Sequence, residues 1–254
     1  MKTLIADISN GRTKLVLAEG RKLVSEVRVI PTAEICESRL AETCAGWNYA
    51  AAAFSSVVPA ASKLFCAYTR QCSFVGEVKC GEQLPVDFSG YPGTTTLGAD
   101  RVANAVAAAV LYPGVPLWVV DAGTAITADV VLPAEREGRK ARFLGGMIAP
   151  GPGTMLKMLH NETAQLPVSP AVLPERAVGR NTQEALQSGC VRGCCGILRE
   201  LWGAMAEECG CALQPVMTGG DAPLLSQAMP ELGIPHPLLT LQGIALCADA
   251  MRKC

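Results

Sequence analysis

The 254-residue chain has few charged residues, no basic cluster and no long apolar run, and each shortage excludes a class of protein. Only 18% of its residues are charged and its formal net charge is -1. No group of lysines and arginines lies beside aromatic residues, so nucleic acid is not expected as the main partner. The apolar run "VANAVAAAVLY" is too short to span a bilayer and predicts a buried helix, so no membrane partner is expected.

Metal-binding and disulfide patterns are also missing. The twelve cysteines include no Cys-x-x-Cys pair, and the two histidines, His160 and His236, have no ligand-like neighbours, so a zinc site is not predicted. The opening residues "MKTLIADISN" contain too short an apolar segment for a secretory signal. We therefore expect reduced thiols and a cytoplasmic protein.

Two related strand-turn-strand segments are present instead, at "TLIADISNGRTKLVL" (3–17) and "LWVVDAGTAITADVV" (117–131). In each segment an aspartate, Asp7 or Asp121, follows an apolar strand and is followed by small or hydroxyl residues before a second strand. This parallel predicts an internal duplication. Neither a G-x-x-x-x-G-K-[ST] nor a G-x-G-x-x-G motif occurs, which removes the main support for a P-loop or Rossmann nucleotide site.

The remaining segments alternate between helical and strand patterns, as an α/β architecture requires. Helices are predicted at 34–47, at 60–70, from Gly98 through "GADRVANAVAAAVLY", at 181–209 and from Leu241 onward. A strand is predicted at "QPVMTGGD", and "GGMIAPGPGT" is predicted to be a glycine- and proline-rich loop.

Two such lobes would form a cleft in which two carboxylates face each other. This arrangement suits a nucleotide whose phosphates carry Mg²⁺, because the cation neutralises charge while hairpin N–H and hydroxyl groups orient oxygens.

The first hairpin has a simpler interpretation as well. Asn10-Gly11 is typical of a tight turn between two strands, whether or not the turn binds a ligand.

Seven segments, in order, resemble those of the type III pantothenate kinases, which belong to the superfamily of acetate and sugar kinases, Hsp70 and actin. The segments are "DISNGRTK" (7–14), "SSVVP" (55–59), "YPGTTTLGADRVAN" (91–104), "DAGTAITAD" (121–129), "GGMIAPG" (145–151), "GRNTQEALQSG" (179–189) and "TGGDAPLL" (218–225). The resemblance implies two duplicated ribonuclease H-like (actin-like ATPase) lobes, residues 1–114 and 115–254, with dimerisation helices in the second. It also implies a homodimer that phosphorylates pantothenate to 4'-phosphopantothenate in coenzyme A biosynthesis.

The resemblance assigns substrate and catalytic roles to particular residues. The implied pantothenate contacts are Tyr91, Gly98, Ala99, Asp100, Arg101 and Thr182. Asp100 would be the base that takes the proton of the pantothenate hydroxyl, and Thr182 would come from the partner subunit. Each residue also has a structural alternative: a surface ion pair for Asp100 and Arg101, a strand aromatic for Tyr91 and a helix N-cap for Thr182.

The same resemblance places ATP and its cations at the two hairpins. The implied ATP contacts are Asp7, Ile8, Ser9, Asn10, Gly11, Arg12, Thr13, Lys14 and Thr124. Asp7 would organise the Mg²⁺-bound phosphates, and Asp121 would hold a monovalent cation, K⁺ or NH₄⁺. Gly123, which lacks a Cβ, would let the backbone approach the nucleotide.

The first motif departs from the family pattern D-x-G-N-T-x-x-K, because Ser9 replaces its glycine and Gly11 its threonine. Either Ser9 or Thr13 supplies the missing hydroxyl, or the site binds ATP weakly and the protein is an accessory relative without catalysis. A sugar kinase of the same superfamily is a further alternative, which would share the hairpins but not "GADR".

Overall fold

The computed structural model describes residues 1–253, which form two compact units. The first unit contains residues 1–114, 133–144 and 238–253, and the second contains residues 115–132 and 145–237. The strands are β1 (Lys2–Ile8), β2 (Arg12–Glu19), β3 (Lys22–Leu23), β4 (Arg28–Pro31), β5 (Ala51–Ser56), β6 (Phe74–Glu77), β7 (Val86–Asp87), β8 (Leu117–Ala122), β9 (Ala125–Leu132), β10 (Ala141–Pro150) and β11 (Gln214–Thr218). The helices are α1 (Glu37–Thr43), α2 (Pro59–Tyr68), α3 (Ala99–Leu111), α4 (Pro152–Glu162), α5 (Thr182–Gln187), α6 (Gly193–Cys209), α7 (Ala222–Ala228) and α8 (Leu239–Met251).

The first unit is built on a sheet with strand order β3-β2-β1-β5-β6, in which β4 also pairs with β2. Strands β1 and β2 form an antiparallel hairpin, whereas β5 pairs with β1 in parallel. Alternate residues of β1, such as Leu4 and Ile8, pack with Phe65 of α2 in one apolar core. Helices α3 and α8 pack on the same central strands. Both faces of β1 are therefore buried, which is why it consists almost entirely of apolar residues.

The second unit repeats this arrangement. Strands β8 and β9 form an antiparallel hairpin, β11 pairs with β8 in parallel, and β10 lies beyond β9. The core of this unit packs β8 and β9 against α6 and α7, and Trp118 stacks on Trp202 with ring centroids 5.5 Å apart. The two hairpins have the same strand pairing, which confirms the duplication predicted from the two aspartate segments.

Helices α3 and α8 pack closely because their contact faces carry small residues. A Cβ on Gly243 of α8 would collide with the backbone carbonyl of Ala103 in α3. Glycine is therefore required at this crossing for the two backbones to approach each other. The crossing joins the last helix of the chain to the first unit, on the helix that begins at "GADR".

Several local predictions are confirmed, including α2, α3, β11 and the closing helix α8. The helix predicted at 34–47 is shorter and consists of a 3₁₀ turn followed by α1. The helix predicted at 181–209 is α5 and α6 joined by a π-helical turn at Ser188–Arg192. In residues 1–253, no helix has both the length and the apolar character that a membrane crossing needs.

The loop predicted at "GGMIAPGPGT" is wrong. Residues 145–150 are the end of strand β10, and α4 begins at Pro152. A Cβ on Gly146 would collide with the carbonyl oxygen of Ala128 in the second unit. The glycine therefore serves close packing of β10 on β9, a role that its usual association with turns does not reveal.

Candidate functional site

Asp7 lies near the end of β1 and is almost completely buried, with 5% of its surface exposed. Its register partners are Lys14 on the antiparallel strand β2 and Ser55 on the parallel strand β5. The Ser9 hydroxyl donates a hydrogen bond to Asp7 Oδ1 over 3.2 Å. A carboxylate and hydroxyl oxygens are therefore grouped at the end of the first hairpin, and hard cations prefer such ligands.

The turn of this hairpin is short, and its tip is exposed. The Ser9 backbone N–H donates to the Arg12 carbonyl over 3.2 Å, and Asn10 and Gly11 project into solvent. Gly11 does not have a positive φ, and no atom lies within 4 Å of where its Cβ would be. Neither backbone conformation nor crowding requires glycine there. Because the space around Gly11 is open, its backbone is accessible to a ligand.

Ser9, rather than Thr13, places a hydroxyl beside Asp7. Thr13 is fully buried, and its hydroxyl lies 3.0 Å from the Thr32 hydroxyl, which in turn donates to the Ser9 carbonyl over 2.7 Å. These bonds tie the hairpin to the 3₁₀ turn at Thr32–Glu34. Of the two replacements considered for the missing family threonine, the geometry favours Ser9.

The second hairpin has an equivalent arrangement around Asp121. This residue is half-buried near the end of β8, and its register partners are Thr127 on β9 and Thr218 on β11. Thr124 is exposed at the turn, where the Gly123 N–H donates to the Ala125 carbonyl over 3.0 Å. Asp121 is thus flanked by two threonines, much as Asp7 is flanked by a lysine and a serine.

The start of α4 supports the turn after Asp121. The Gly151 N–H donates to the Thr124 carbonyl over 3.0 Å, and the Thr154 hydroxyl donates to the same oxygen over 2.6 Å. A Cβ on Gly151 would collide with the Gly123 carbonyl. The segment "GGMIAPGPGT" therefore holds the Gly123–Thr124 turn in place from the C-terminal side.

Two buried hydroxyl residues beside the aspartates were not predicted from the sequence. Ser55 and Thr218 are each 1% exposed, and each lies next to its aspartate across a parallel strand pair. Ser55 is the last residue but one of the strand "AAAFSS", and Thr218 is the last residue of the strand "QPVMT". Their position near the ends of strands could have identified them from the sequence, because the ends of adjacent parallel strands meet at one edge of a sheet.

The "GADR" segment forms the first turn of α3, with Gly98 as its N-cap. Asp100 is the second helical residue, and its Oδ1 accepts a hydrogen bond from the Arg101 backbone N–H over 2.8 Å. A Cβ on Gly98 would lie only 2.5 Å from this Oδ1. Gly98 therefore provides the space in which the Asp100 carboxylate lies, and the helix start fixes its direction.

Arg101 and Tyr91 converge on a third side chain, Phe143, which was not predicted. The Arg101 guanidinium carbon lies 5.8 Å from the centroid of the Phe143 ring. The Tyr91 ring meets the same ring edge to face, with centroids 5.4 Å apart and planes at 87°. Arg101 is 7% exposed, so its orientation is set by packing. Tyr91 precedes α3 and is not a strand residue, which corrects that alternative.

Thr182 is the first residue of α5 but not its N-cap, which corrects the alternative role considered for it. The cap is Asn181, whose Oδ1 accepts from the Glu184 N–H over 2.9 Å, while Glu184 Oε2 accepts from the Arg180 N–H over 2.9 Å. Gly179 makes room for this cap, because a Cβ there would collide with the Ala185 backbone. The Thr182 hydroxyl is therefore not needed to start the helix.

Thr182 also lines an apolar cavity of about 540 Å³ in the second unit. The other lining residues are Pro150, Met155, Met158, Leu159, Leu166, Ala185, Leu186, Gly189 and Cys190. Two of these apolar lining side chains, Met158 and Leu159, are themselves exposed. Thr182 thus lies beside a surface with an unusually apolar character for one exposed to water.

Comparison with known proteins agrees with these motifs. The family model described as type III pantothenate kinase matches residues 3–204. A type III pantothenate kinase from Akkermansia muciniphila is 39% identical over 249 residues, covering 98% of each chain. A second, from Methylacidiphilum infernorum, is 34% identical and covers 98% of this chain and 89% of its own.

Solved structures show the same fold at low identity. A Campylobacter jejuni protein described as a Baf family transcriptional activator superposes with a TM-score of 0.64 at 20% identity, covering 99% of this chain and 100% of its own. The activator of 2-hydroxyisocaproyl-CoA dehydratase from Clostridium difficile gives a TM-score of 0.51 at 13% identity, covering 100% of this chain and 97% of its own. MreB 5 of Spiroplasma citri gives a TM-score of 0.50 at 8% identity, covering 99% of this chain and 97% of its own. The α/β actin-like fold is thereby confirmed, and the chain belongs to the type III pantothenate kinase family.

Proposed function

We propose that this protein transfers the γ-phosphate of ATP to pantothenate, giving 4'-phosphopantothenate and ADP at the first step of coenzyme A biosynthesis. The observation that carries the proposal is the geometry of "GADR" in a chain of this family. Gly98 and the Arg101 N–H hold the Asp100 carboxylate in one direction at the start of α3. A carboxylate fixed in this way is suited to accept a proton from an alcohol.

Asp100 is assigned the role of base. An alcohol is a weak nucleophile at neutral pH, and a carboxylate within hydrogen-bond distance orients it and accepts its proton as phosphoryl transfer proceeds. Arg101 is assigned to the carboxylate of pantothenate, because a planar guanidinium matches carboxylate geometry with two parallel hydrogen bonds. Tyr91, Gly98 and Ala99 are the other pantothenate contacts assigned within the same unit.

The first hairpin fits MgATP. Asp7 and Ser9 would supply oxygen ligands, and the backbone at Gly11 is accessible. The solved Clostridium difficile activator, which shares the fold, contains bound ADPNP. Bound Mg²⁺ would neutralise phosphate charge, while the hairpin from Asp7 to Lys14 would orient the phosphate oxygens. Thr124 keeps the ATP contact that the family resemblance implies for it.

Asp121 is assigned to a monovalent cation, K⁺ or NH₄⁺. Its neighbours Thr127 and Thr218 contribute oxygen-bearing side chains, the ligand type that a hard cation prefers. If this assignment is correct, the wild-type enzyme needs K⁺ or NH₄⁺ and is much less active in Na⁺. The Asp121→Asn variant should lose this dependence together with most of its activity, and equal turnover in K⁺ and Na⁺ would contradict the assignment.

We also infer that the enzyme is a homodimer in which Thr182 reaches the partner's substrate site. The apolar side chains exposed around Thr182 support such an interface. The Asp100→Asn and Thr182→Ala variants should each be poorly active. Mixed and re-equilibrated, they should recover roughly a quarter of the wild-type sites, because about half of random dimers are mixed and each carries one intact site. A monomer in light scattering, or no recovery in a mixed dimer, would contradict this inference.

The expected location is the cytoplasm, without nucleic acid as a partner. All eleven described cysteines are unpaired, which suits a reducing compartment. Burial raises the pKa of the Cys194 thiol to about 12, so this thiol stays protonated and unreactive. The net charge of -1 offers no electrostatic attraction for a polyanion.

The deciding experiment is ADP release by the purified protein with MgATP and pantothenate. The wild type should turn over only when pantothenate is present, and the Asp100→Asn variant should lose activity by at least about 100-fold while remaining folded. The matched control is Glu37→Gln, which removes a carboxylate from the first turn of α1 in the same unit and should leave turnover unchanged.

The altered first motif keeps one rival function open to test, that of a non-catalytic relative. Such a protein would release no ADP, and its Asp100→Asn variant would behave like the wild type. ATP binding measured by calorimetry separates the causes, because a hairpin that no longer holds phosphate would give no binding signal. A sugar kinase would instead release ADP with a hexose and not with pantothenate.

A further inference from the structure

We propose that Phe143 is a positioning residue for the pantothenate site, and that its ring orients both Tyr91 and Arg101. The inference rests on the proposed function, because it concerns the same substrate. Phe143 lies on β10, is 1% exposed and is separated from both other residues by more than 40 positions of sequence. Its role is indirect, since it acts through the two side chains that would contact pantothenate.

Phe143 is in contact with three side chains of the first unit. The Phe88 ring packs on it at 5.2 Å between centroids, and the Tyr91 ring meets it nearly at right angles at 5.4 Å. The Arg101 guanidinium lies 5.8 Å from its centroid. One buried ring is therefore the common neighbour of the tyrosine and the arginine.

Backbone pairing brings the tyrosine to this ring. In the parallel pair β7 and β10, Val86 lies opposite Ala141 and Asp87 opposite Arg142, so the next residues, Phe88 and Phe143, are adjacent. The chain then turns, with the Tyr91 N–H donating to the Phe88 carbonyl over 3.0 Å. The strand register thus delivers Tyr91 to a fixed distance from Phe143.

Asp87 strengthens this turn. Its Oδ1 accepts a hydrogen bond from the Ser89 N–H over 2.9 Å, and this bond lowers the pKa of the Asp87 carboxyl. The turn carries Tyr91 back toward strand β10, and a tight turn leaves the tyrosine backbone little freedom. What remains for Phe143 to determine is the direction of the tyrosine side chain.

An aromatic ring orients these two neighbours in a way that an aliphatic residue cannot. The ring has a negative face and a positive edge, so it attracts a guanidinium over its face and favours a perpendicular neighbouring ring. A ring also sets the plane of the guanidinium without accepting its N–H hydrogen bonds. Leucine fills a similar volume but has neither property, and this difference is what the experiment uses.

The test compares Phe143→Leu with the wild type in steady-state kinetics. The KM for pantothenate should rise about tenfold, the combined effect expected for one buried cation–π contact and one edge-to-face contact. The KM for ATP and kcat should change by less than about twofold, because the affected contacts bind parts of pantothenate away from the transferred phosphate. Phe143→Tyr keeps the ring and should restore most of the affinity.

The matched control is Phe65→Leu. Phe65 is fully buried in the same unit and packs on Phe54 with centroids 5.4 Å apart, but it belongs to an apolar core that does not include Phe143. Its replacement should lower the melting temperature and leave both KM values unchanged.

A second substitution keeps the inference testable if Phe143→Leu does not fold. Pentafluorophenylalanine at position 143 keeps the shape of the ring and reverses its charge distribution, so it should give the same rise in the KM for pantothenate.

A spectroscopic measurement gives a second readout that does not depend on turnover. The Arg101 side-chain N–H proton above the Phe143 ring should be shifted upfield by the ring current in the ¹⁵N-labelled protein. The shift should disappear in Phe143→Leu and persist in Phe65→Leu. An Arg101 signal that is identical in the wild type and Phe143→Leu would overturn the proposed contact.

The outcomes separate this inference from the function on which it rests. A wild type that neither phosphorylates nor binds pantothenate overturns the proposed function, and with it the role of Phe143. The inference alone is overturned if the wild type is a kinase and the Phe143→Leu variant keeps its KM for pantothenate. It is also overturned if the variant has a lower kcat and a similar rise in both KM values. A selective rise in the KM for pantothenate that is reversed by Phe143→Tyr supports it.

Discussion

Replacing Gly98 with alanine tests whether catalysis depends on the position of the Asp100 carboxylate. The new Cβ would lie 2.5 Å from Asp100 Oδ1, whereas ordinary van der Waals contact begins at 3.4 Å. The oxygen must therefore move by about 0.9 Å, the difference between these two distances. The clash involves the end of a side chain and no backbone atom, so the carboxylate will yield and the helix will stay in place.

The displacement has a predictable cost. Misplacing a catalytic group by about 1 Å reduces a rate by roughly 100-fold, so kcat of Gly98→Ala should fall by about this factor. The hydrogen bond from the Arg101 N–H over 2.8 Å would weaken as well, which destabilises the fold by about 1 kcal/mol. A large loss of turnover with a small loss of stability is therefore the expected signature.

The assay is ADP release at saturating MgATP and pantothenate, combined with thermal unfolding of the same preparations. The control is Gly203→Ala in the exposed part of α6, where no atom lies within 4 Å of the new Cβ and where alanine should stabilise the helix by about 1 kcal/mol. Full activity in Gly98→Ala would refute the reasoning, because it would show that the carboxylate does not need its present position. A loss of activity fully explained by unfolding would refute it too.

Two predictions concern stability. Gly243→Ala places a Cβ against the Ala103 carbonyl and should destabilise the protein by about 3 kcal/mol by forcing α8 from α3, a change measurable by urea unfolding; an unchanged midpoint would contradict this close packing. Asp249 accepts hydrogen bonds from Arg21 and Lys253, which lower its pKa below the ordinary value of 3.8. The carboxylate therefore stabilises the fold above pH 3.8, by about 1 kcal/mol, and this contribution is lost as the pH falls through the lowered pKa. Asp249→Asn should accordingly be less stable than the wild type near neutral pH and equally stable at lower pH, whereas a constant difference across this range would exclude the ion pairs as its cause.

The sequence predicted the parts of the site that lie within short segments. The strand, aspartate and turn of each hairpin are visible because the apolar strand, the carboxylate and the turn residues follow one another directly. The start of α3 at Gly98 was readable for the same reason, since helix propensity and the acidic first turn are local properties. The hydroxyl partner of Asp7 was left open between Ser9 and Thr13, and the burial of Thr13 decided it.

Contacts between distant segments needed the tertiary structure. "GGMIAPGPGT" has the composition of a loop, yet its first part is a strand because Gly146 permits close packing on β9. Helix α8, the last in the chain, packs in the first unit because Gly243 fits the backbone of α3. Composition alone carries no information about which backbone a glycine will approach.

Phe143 shows most clearly the difference between what the local sequence predicts and what needs the tertiary structure. Nothing in its local sequence distinguishes it from any other apolar residue of a strand, and only the pairing of β7 with β10 and the packing of α3 bring Tyr91 and Arg101 to its ring. The sequence by itself determined which chemical groups are available and which local elements carry them. The tertiary structure decided which of them meet, because meeting depends on strand register and on the close approach of backbones that are far apart in the chain.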